Sequence, residues 1–222
     1  MKVEQITAIR LAEIGVSEED VHFALEQGVV EGFYTATQTH PRNTAAIRLW
    51  QEIVKALRDR LLLKGWLIPN HSEDVYSEIN SSDGQWRLLV WTGDRYTGIM
   101  ENGKKPKSKN GKGGGVSALI HINSELPLNN PNKKSDLNVR KTIALLFFYD
   151  KQSNEIRAEL SLPVGMEYEY TKSEPHKKPR ATKFDWRVLF SPLNINIDIP
   201  VHNKDIASTE FTDDIDIHID FK

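Results

Sequence analysis

An α+β fold follows from three features of the 222 residues. Apolar positions recur at helical spacing as far as Gly65, and as alternating or continuous short runs beyond residue 70. Short turn-forming segments separate those later runs, which favours antiparallel neighbours. Five Trp, six Tyr and eight Phe can fill a core, and 39% hydrophobic with 27% charged residues is ordinary globular composition. The expected architecture is an N-terminal helical hairpin and a long amphipathic helix followed by a mainly antiparallel β-sheet. It divides into an acidic hairpin over residues 1–33 and an α+β domain over 34–222, the latter with basic loops and an acidic C-terminal strand.

The first helix is predicted from Val3 to Ile14, where Gly15 offers a left-handed stop. Ser17 is a good N-cap, and Asp20 sits where a capping box places its second member. A second helix runs through Val21, Ala24 and Leu25 to Gly28. Residues 29–42 show no clear period, and His40-Pro41 opposes a helix there. The third helix begins at Asn43 or Thr44. Ile47, Trp50, Val54, Leu57 and Leu61 form one apolar stripe, widened by Ile53. Lys64-Gly65 gives it a basic last turn and a glycine stop. Trp66-Leu67-Ile68 is then extended as far as Pro69.

Strands are predicted at Val75–Ile79, Gln85–Trp91, Tyr96–Met100 and Val116–Ile122. Thr142–Asp150 and Glu155–Leu162 flank a short loop and read as a hairpin. Trp186–Phe190 and Ile195–Ile199 follow, separated by Ser191-Pro192. Ile215, Ile217, Ile219 and Phe221 alternate with Asp214, Asp216, His218 and Asp220, as in a half-buried terminal strand. Trp86 and Trp91 are an odd number of residues apart, so they face opposite sides of a regular strand.

The absence of cysteine removes disulfides, Cys-ligated zinc, Cys-ligated iron–sulfur clusters and a cysteine nucleophile. The segment MKVEQITAIRLAEIG lacks the apolar core of a signal peptide. No apolar run approaches the roughly 18 residues that suggest a membrane span. A cytoplasmic protein without membrane contact is the expectation.

A net charge of −2 hides strong segregation. Residues 1–31 hold seven acids against Lys2 and Arg10, and residues 205–222 hold six against Lys222. Residues 102–112 hold five lysines and no acid. Residues 172–183 hold Lys172, Lys177, Lys178, Arg180 and Lys183 against Glu174 alone. A local basic patch attracts a polyanion whatever the average charge.

Several motifs fail on inspection. The first two helices have helix-turn-helix spacing, but Glu18-Glu19-Asp20 would meet phosphates with negative charge, so a structural or protein-binding hairpin is the better reading. Gly98-Ile-Met-Glu-Asn-Gly103-Lys104 has P-loop spacing, yet Lys105 stands where a magnesium-binding Ser or Thr is needed. Gly111-Lys-Gly-Gly-Gly-Val fails the dinucleotide pattern at Val116. Asp150 followed by Glu155-Ile-Arg157 approaches a metal-nuclease pattern but carries Arg for Lys. There Glu155, Arg157 and Glu159 read as a solvent-facing ladder. Asp216, His218 and Asp220 share one strand face, and without partners from a second strand they read as a solubilising edge.

Gly93–Gly98 reads as a turn, or as one half of an anion site completed by Pro106–Gly115. Aromatics lie beside both basic stretches (Trp86, Trp91 and Tyr96 near one, Tyr168, Tyr170, Phe184 and Trp186 near the other), an arrangement that can stack single-stranded nucleic acid. The functional expectation is a polyanion-binding accessory protein, with nucleic acid as the polyanion. Its contacts come from Lys104, Lys105, Lys107, Lys109 and Lys112, with Lys177, Lys178 and Arg180 as a second cluster. The alternative is an interaction subunit of a complex, contacting a protein through residues 1–33 or 211–222. A metal-dependent nuclease ranks third. No catalytic residue, metal ligand or cofactor is assigned.

Overall fold

In the computed structural model, α1 (Val3–Ile14) ends where Gly15 turns left-handed, at φ +80°. The Gly15 and Val16 N–H groups both donate to the Leu11 carbonyl. The predicted capping box then starts α2 (Glu18–Tyr34): Ser17 N–H donates to Asp20 Oδ2 at 2.9 Å, and Asp20 N–H to Ser17 Oγ at 3.2 Å. The structure describes residues 3–34, 37, 39–41, 43–70, 74, 76–101, 104–125, 140–150, 152–168 and 178–195.

Helix α2 does not stop at Gly28, as the sequence suggested. It continues through Gly32 because both glycines lie against α3 (Thr44–Leu62). A Cβ on Gly28 would come within 2.3 Å of Ile53 Cγ1, and one on Gly32 within 2.8 Å of the Leu49 backbone. Close packing compensates the helix propensity that glycine lacks. Helix α3 is therefore covered on two sides. Val54, Leu57 and Leu61 belong to the predicted stripe, while Ala45, Leu49 and Ala56 are also buried. Trp50 is half-buried and donates its indole N–H to the Val90 carbonyl at 3.0 Å.

The sheet has six strands: β1 (Ile79–Asn80), β2 (Trp86–Thr92), β3 (Lys141–Asp150), β4 (Glu155–Glu167), β5 (Arg180–Leu189) and β6 (Leu193–Asn194). Their order is β1-β2-β3-β4-β5, and β6 pairs with β4 beyond the Ser191-Pro192 interruption. All pairings are antiparallel except β2 with β3, which runs parallel from Trp86↔Lys141 to Thr92↔Phe147. A parallel pair needs a crossover, and helix α4 (Gly114–Glu125) supplies it.

Helix α4 corrects the predicted strand Val116–Ile122. Val116, Ile120 and Asn123 are buried and Leu119 partly so, which is helical spacing. The predicted strand Tyr96–Met100 is likewise replaced by a turn, in which Thr97 N–H donates to the Asp94 carbonyl. Of Val75–Ile79 only Ile79 is in a strand. Val75 lies outside the described residues, as do residues 196–199 of the predicted Ile195–Ile199 strand and the whole of 211–222.

Each sheet face has its own core. Leu88, Val90, Ile143, Leu145, Ile156, Leu160 and Val188 pack with α2 and α3. Leu89, Trp91, Ala144 and Leu146 pack with Val116 and Ile120 of α4. Trp86 and Trp91 fall on opposite faces, as their spacing requires. Pro163 and Gly165 accompany register shifts between β4 and β5, and beyond them Met166 and Ala181 join the α4-side cluster. Among the described residues, no helix is long and apolar enough to cross a membrane.

Candidate polyanion interface

After β2 the chain makes an Asx turn. Asp94 Oδ1 accepts the Tyr96 N–H at 3.1 Å. Burial pulls the Asp94 carboxyl above its ordinary pKa, against hydrogen bonds from the Tyr96 and Lys107 backbones. Gly98, at φ +70°, then lays its backbone on β4, and its N–H donates to Glu159 Oε2 at 2.9 Å.

That contact overturns the reading of Glu155, Arg157 and Glu159 as a solvent ladder. Glu159 is 0% exposed and Arg157 6% exposed. Arg187 of β5 donates to both Glu159 oxygens, at 2.9 and 2.5 Å, and to the Ile99 carbonyl at 3.1 Å. Ser161 Oγ donates to Glu159 Oε1 at 2.7 Å. Alternation in β4 correctly separates two faces. It does not reveal that the turn after β2 covers the polar one. At the hairpin, Arg157 lies 3.1 Å from Asp150 and 3.5 Å from Glu155, so an arginine balances the two carboxylates considered for metal binding. Among the described residues, no three His, Asp or Glu side chains are gathered to hold a metal.

The lysine loop is built on this platform. Asp94 N–H donates to the Lys107 carbonyl, Gly93 forms a bridge with Ser108, and Lys109 N–H donates to the Thr92 carbonyl at 2.8 Å. Gly93–Gly98 and Pro106–Gly115 are thus neighbours in space.

The other side of the loop binds the second basic cluster. Ser108 N–H donates to the Ala181 carbonyl and Ala181 N–H returns to Ser108 Oγ, both at 3.1 Å. Lys112 N–H donates to the Pro179 carbonyl at 2.7 Å. A Cβ on Gly111 would stand 2.6 Å from the Lys178 carbonyl, so a side chain there would force the two segments apart. The segment carrying Lys107, Lys109 and Lys112 is therefore bonded directly to the one carrying Lys178 and Arg180. Lys177 lies outside the described residues.

The lysines differ in environment. Lys105 is exposed, and Lys104 pairs with Glu101 at 2.8 Å, a hydrogen bond that raises its pKa. Lys104 and Arg95 also lie over the Tyr96 ring, at 5.3 and 4.9 Å from its centroid. Lys112 is half-buried and holds its ammonium 4.7 Å from the centroid of the Trp91 ring. Burial pulls its pKa down to about 7.

Asn123 is a residue that sequence reasoning passed over. From the far end of α4 it donates to the Thr142 and Pro163 carbonyls and accepts the Thr142 N–H, at 2.7–2.8 Å. These bonds fix the crossover helix against β3 at Thr142 and β4 at Pro163. No known protein family, curated protein or solved structure matches this chain.

Proposed function

We propose that this chain is a polyanion-binding accessory protein, that nucleic acid is its polyanion, and that the surface joining Lys104–Lys112 to Lys178–Arg180 makes the contact. One observation carries this reading: two basic segments far apart in sequence are joined backbone to backbone at Ser108–Ala181 and Lys112–Pro179. Separate basic loops would be ordinary solvated charge. Together they raise the potential over one area, which favours a ligand with many negative charges. Tyr96 lies under Lys104, and the exposed Tyr168 follows Glu167, the partner of Arg180 in the sheet, so both rings could stack with bases.

The test is a full-length variant with Lys104, Lys105, Lys107 and Lys109 changed to Ala. Lys112 stays, because its ammonium packs on Trp91. Binding of fluorescein-labelled oligo(dT) should weaken, and the slope of log affinity against log salt should flatten by about 0.7 for each phosphate no longer neutralised. The melting temperature should hardly move, since exposed loop charges contribute little to stability. Equal affinity in wild type and variant would sink the proposal.

A second reading, an interaction subunit, is favoured by apolar residues exposed on the helical hairpin, Ile9, Phe23 and Val30. Polar substitution of all three should abolish co-purification of a partner while leaving oligo(dT) binding intact.

A further inference from the structure

We infer that the acidic C-terminal segment, residues 205–222, docks on the basic surface of its own chain and competes there with the polyanion. The inference rests on the reading of that surface as a polyanion site.

Charge is the first argument. The segment carries Asp205, Glu210, Asp213, Asp214, Asp216 and Asp220 against Lys222 alone, whereas residues 102–112 carry five lysines and no acid. In an extended conformation Asp214, Asp216 and Asp220 fall on one face and Ile215, Ile217, Ile219 and Phe221 on the other. One side can then meet lysines while the other packs on apolar surface.

Reach is the second. The described chain ends at Ile195, whose N–H donates to the Asn154 carbonyl at the β3–β4 hairpin. Asp213 lies eighteen positions beyond Ile195, enough to span about 60 Å when extended. A globule of this length has a radius of gyration of about 17 Å, so any face is within reach. Tethering gives such a segment an effective concentration in the millimolar range.

The third argument is elimination. In the other acid-rich region, residues 1–31, Glu13, Glu18, Glu19 and Asp20 are engaged elsewhere. Asp20 binds Lys64 and Arg60, Glu18 Oε1 accepts the Ser191 N–H at 2.7 Å, and Glu13 pairs with Arg10. Helices α2 and α3 pack on the sheet face opposite α4, and the lysine loop leads into α4. The lysine loop bonds β5 at its start, and β5 is the last strand of the main sheet order.

The experiment uses the full chain with all six tail acids changed to Asn or Gln. Oligo(dT) and heparin should each bind the variant about tenfold or more tightly than wild type at low salt, and the gain should shrink as salt rises. Equal affinity would overturn the inference. A carbodiimide crosslink on the wild-type chain, with no polyanion present, provides an independent readout. Monomer-band crosslinks between the tail acids and Lys104–Lys112 or Lys178 are expected. Their absence, or their restriction to a dimer band, would overturn intramolecular docking. Crosslinks without any binding of oligo(dT) or heparin would leave the docked tail standing and sink the polyanion reading instead.

Discussion

Glu159 shows what one residue does for this surface. Its carboxylate is fully buried and still satisfied, by two bonds from Arg187, one from Ser161 and one from the Gly98 N–H. Because Arg187 also binds the Ile99 carbonyl, the pair fastens the turn that carries Asp94, and Asp94 in turn bonds the Lys107 backbone. Removing one partner of a buried pair leaves an uncompensated charge, which costs roughly 3–5 kcal/mol. Arg187→Met should show such a loss in urea unfolding, and the double variant with Glu159→Met should be more stable than Arg187→Met alone. Additive losses would show that the two residues act independently. Little of this is legible in the sequence. Glu159 is one more polar residue in a regular alternation, and its cover comes from residues about 60 positions earlier.

Elements with a strong local signal are legible in the sequence. Helix α3 has a long apolar stripe, and the Ser17–Asp20 box marks the start of α2 by its own chemistry. Short, β-branched α4 reads as a strand, since Val116, Ile120 and Ile122 favour strands and seven residues span too few turns to reveal their period. The end of α2 is hidden because Gly28 looks like a stop. Gly28 and Gly32, four apart, are instead the contact stripe against α3. Gly32→Ala would drive a Cβ into the Leu49 backbone, which has no flexible end to move away. Overpacking should outweigh the gain in helix propensity of about 1 kcal/mol and leave a net loss of at least about 1 kcal/mol. Nothing lies within 4 Å of a Cβ placed on Gly114, so Gly114→Ala should melt at or slightly above wild type. Comparable losses in the two variants would contradict close helix packing as the reason for Gly32.

At the scale of the whole molecule, the charge segregation is visible in the sequence but its geometry is not. Counting lysines finds two basic segments; the Ser108–Ala181 and Lys112–Pro179 bonds join them in space. The parallel β2–β3 pair, and with it the placing of acidic helices and basic loop on opposite sheet faces, depends on the crossover helix that the sequence disguises as a strand. On the proposed reading, this separation makes net charge a poor guide to binding. Glu19, Glu26 and Glu31 lie on α2, and changing all three to Gln moves the formal charge from −2 to +1. Across a sheet that change is felt weakly, because the screening length is about 8 Å at physiological salt. Changing Lys105 and Lys109 to Gln moves the charge the other way by less, from −2 to −4. Yet it removes two cations from the surface itself. At physiological salt the α2 variant should bind oligo(dT) within about twofold of wild type, and the loop variant should lose affinity severalfold or more with a flatter salt slope. If affinity instead tracked net charge, with the α2 variant binding much more tightly, the polyanion would be responding to the protein as a whole and the localised basic surface would not be its site.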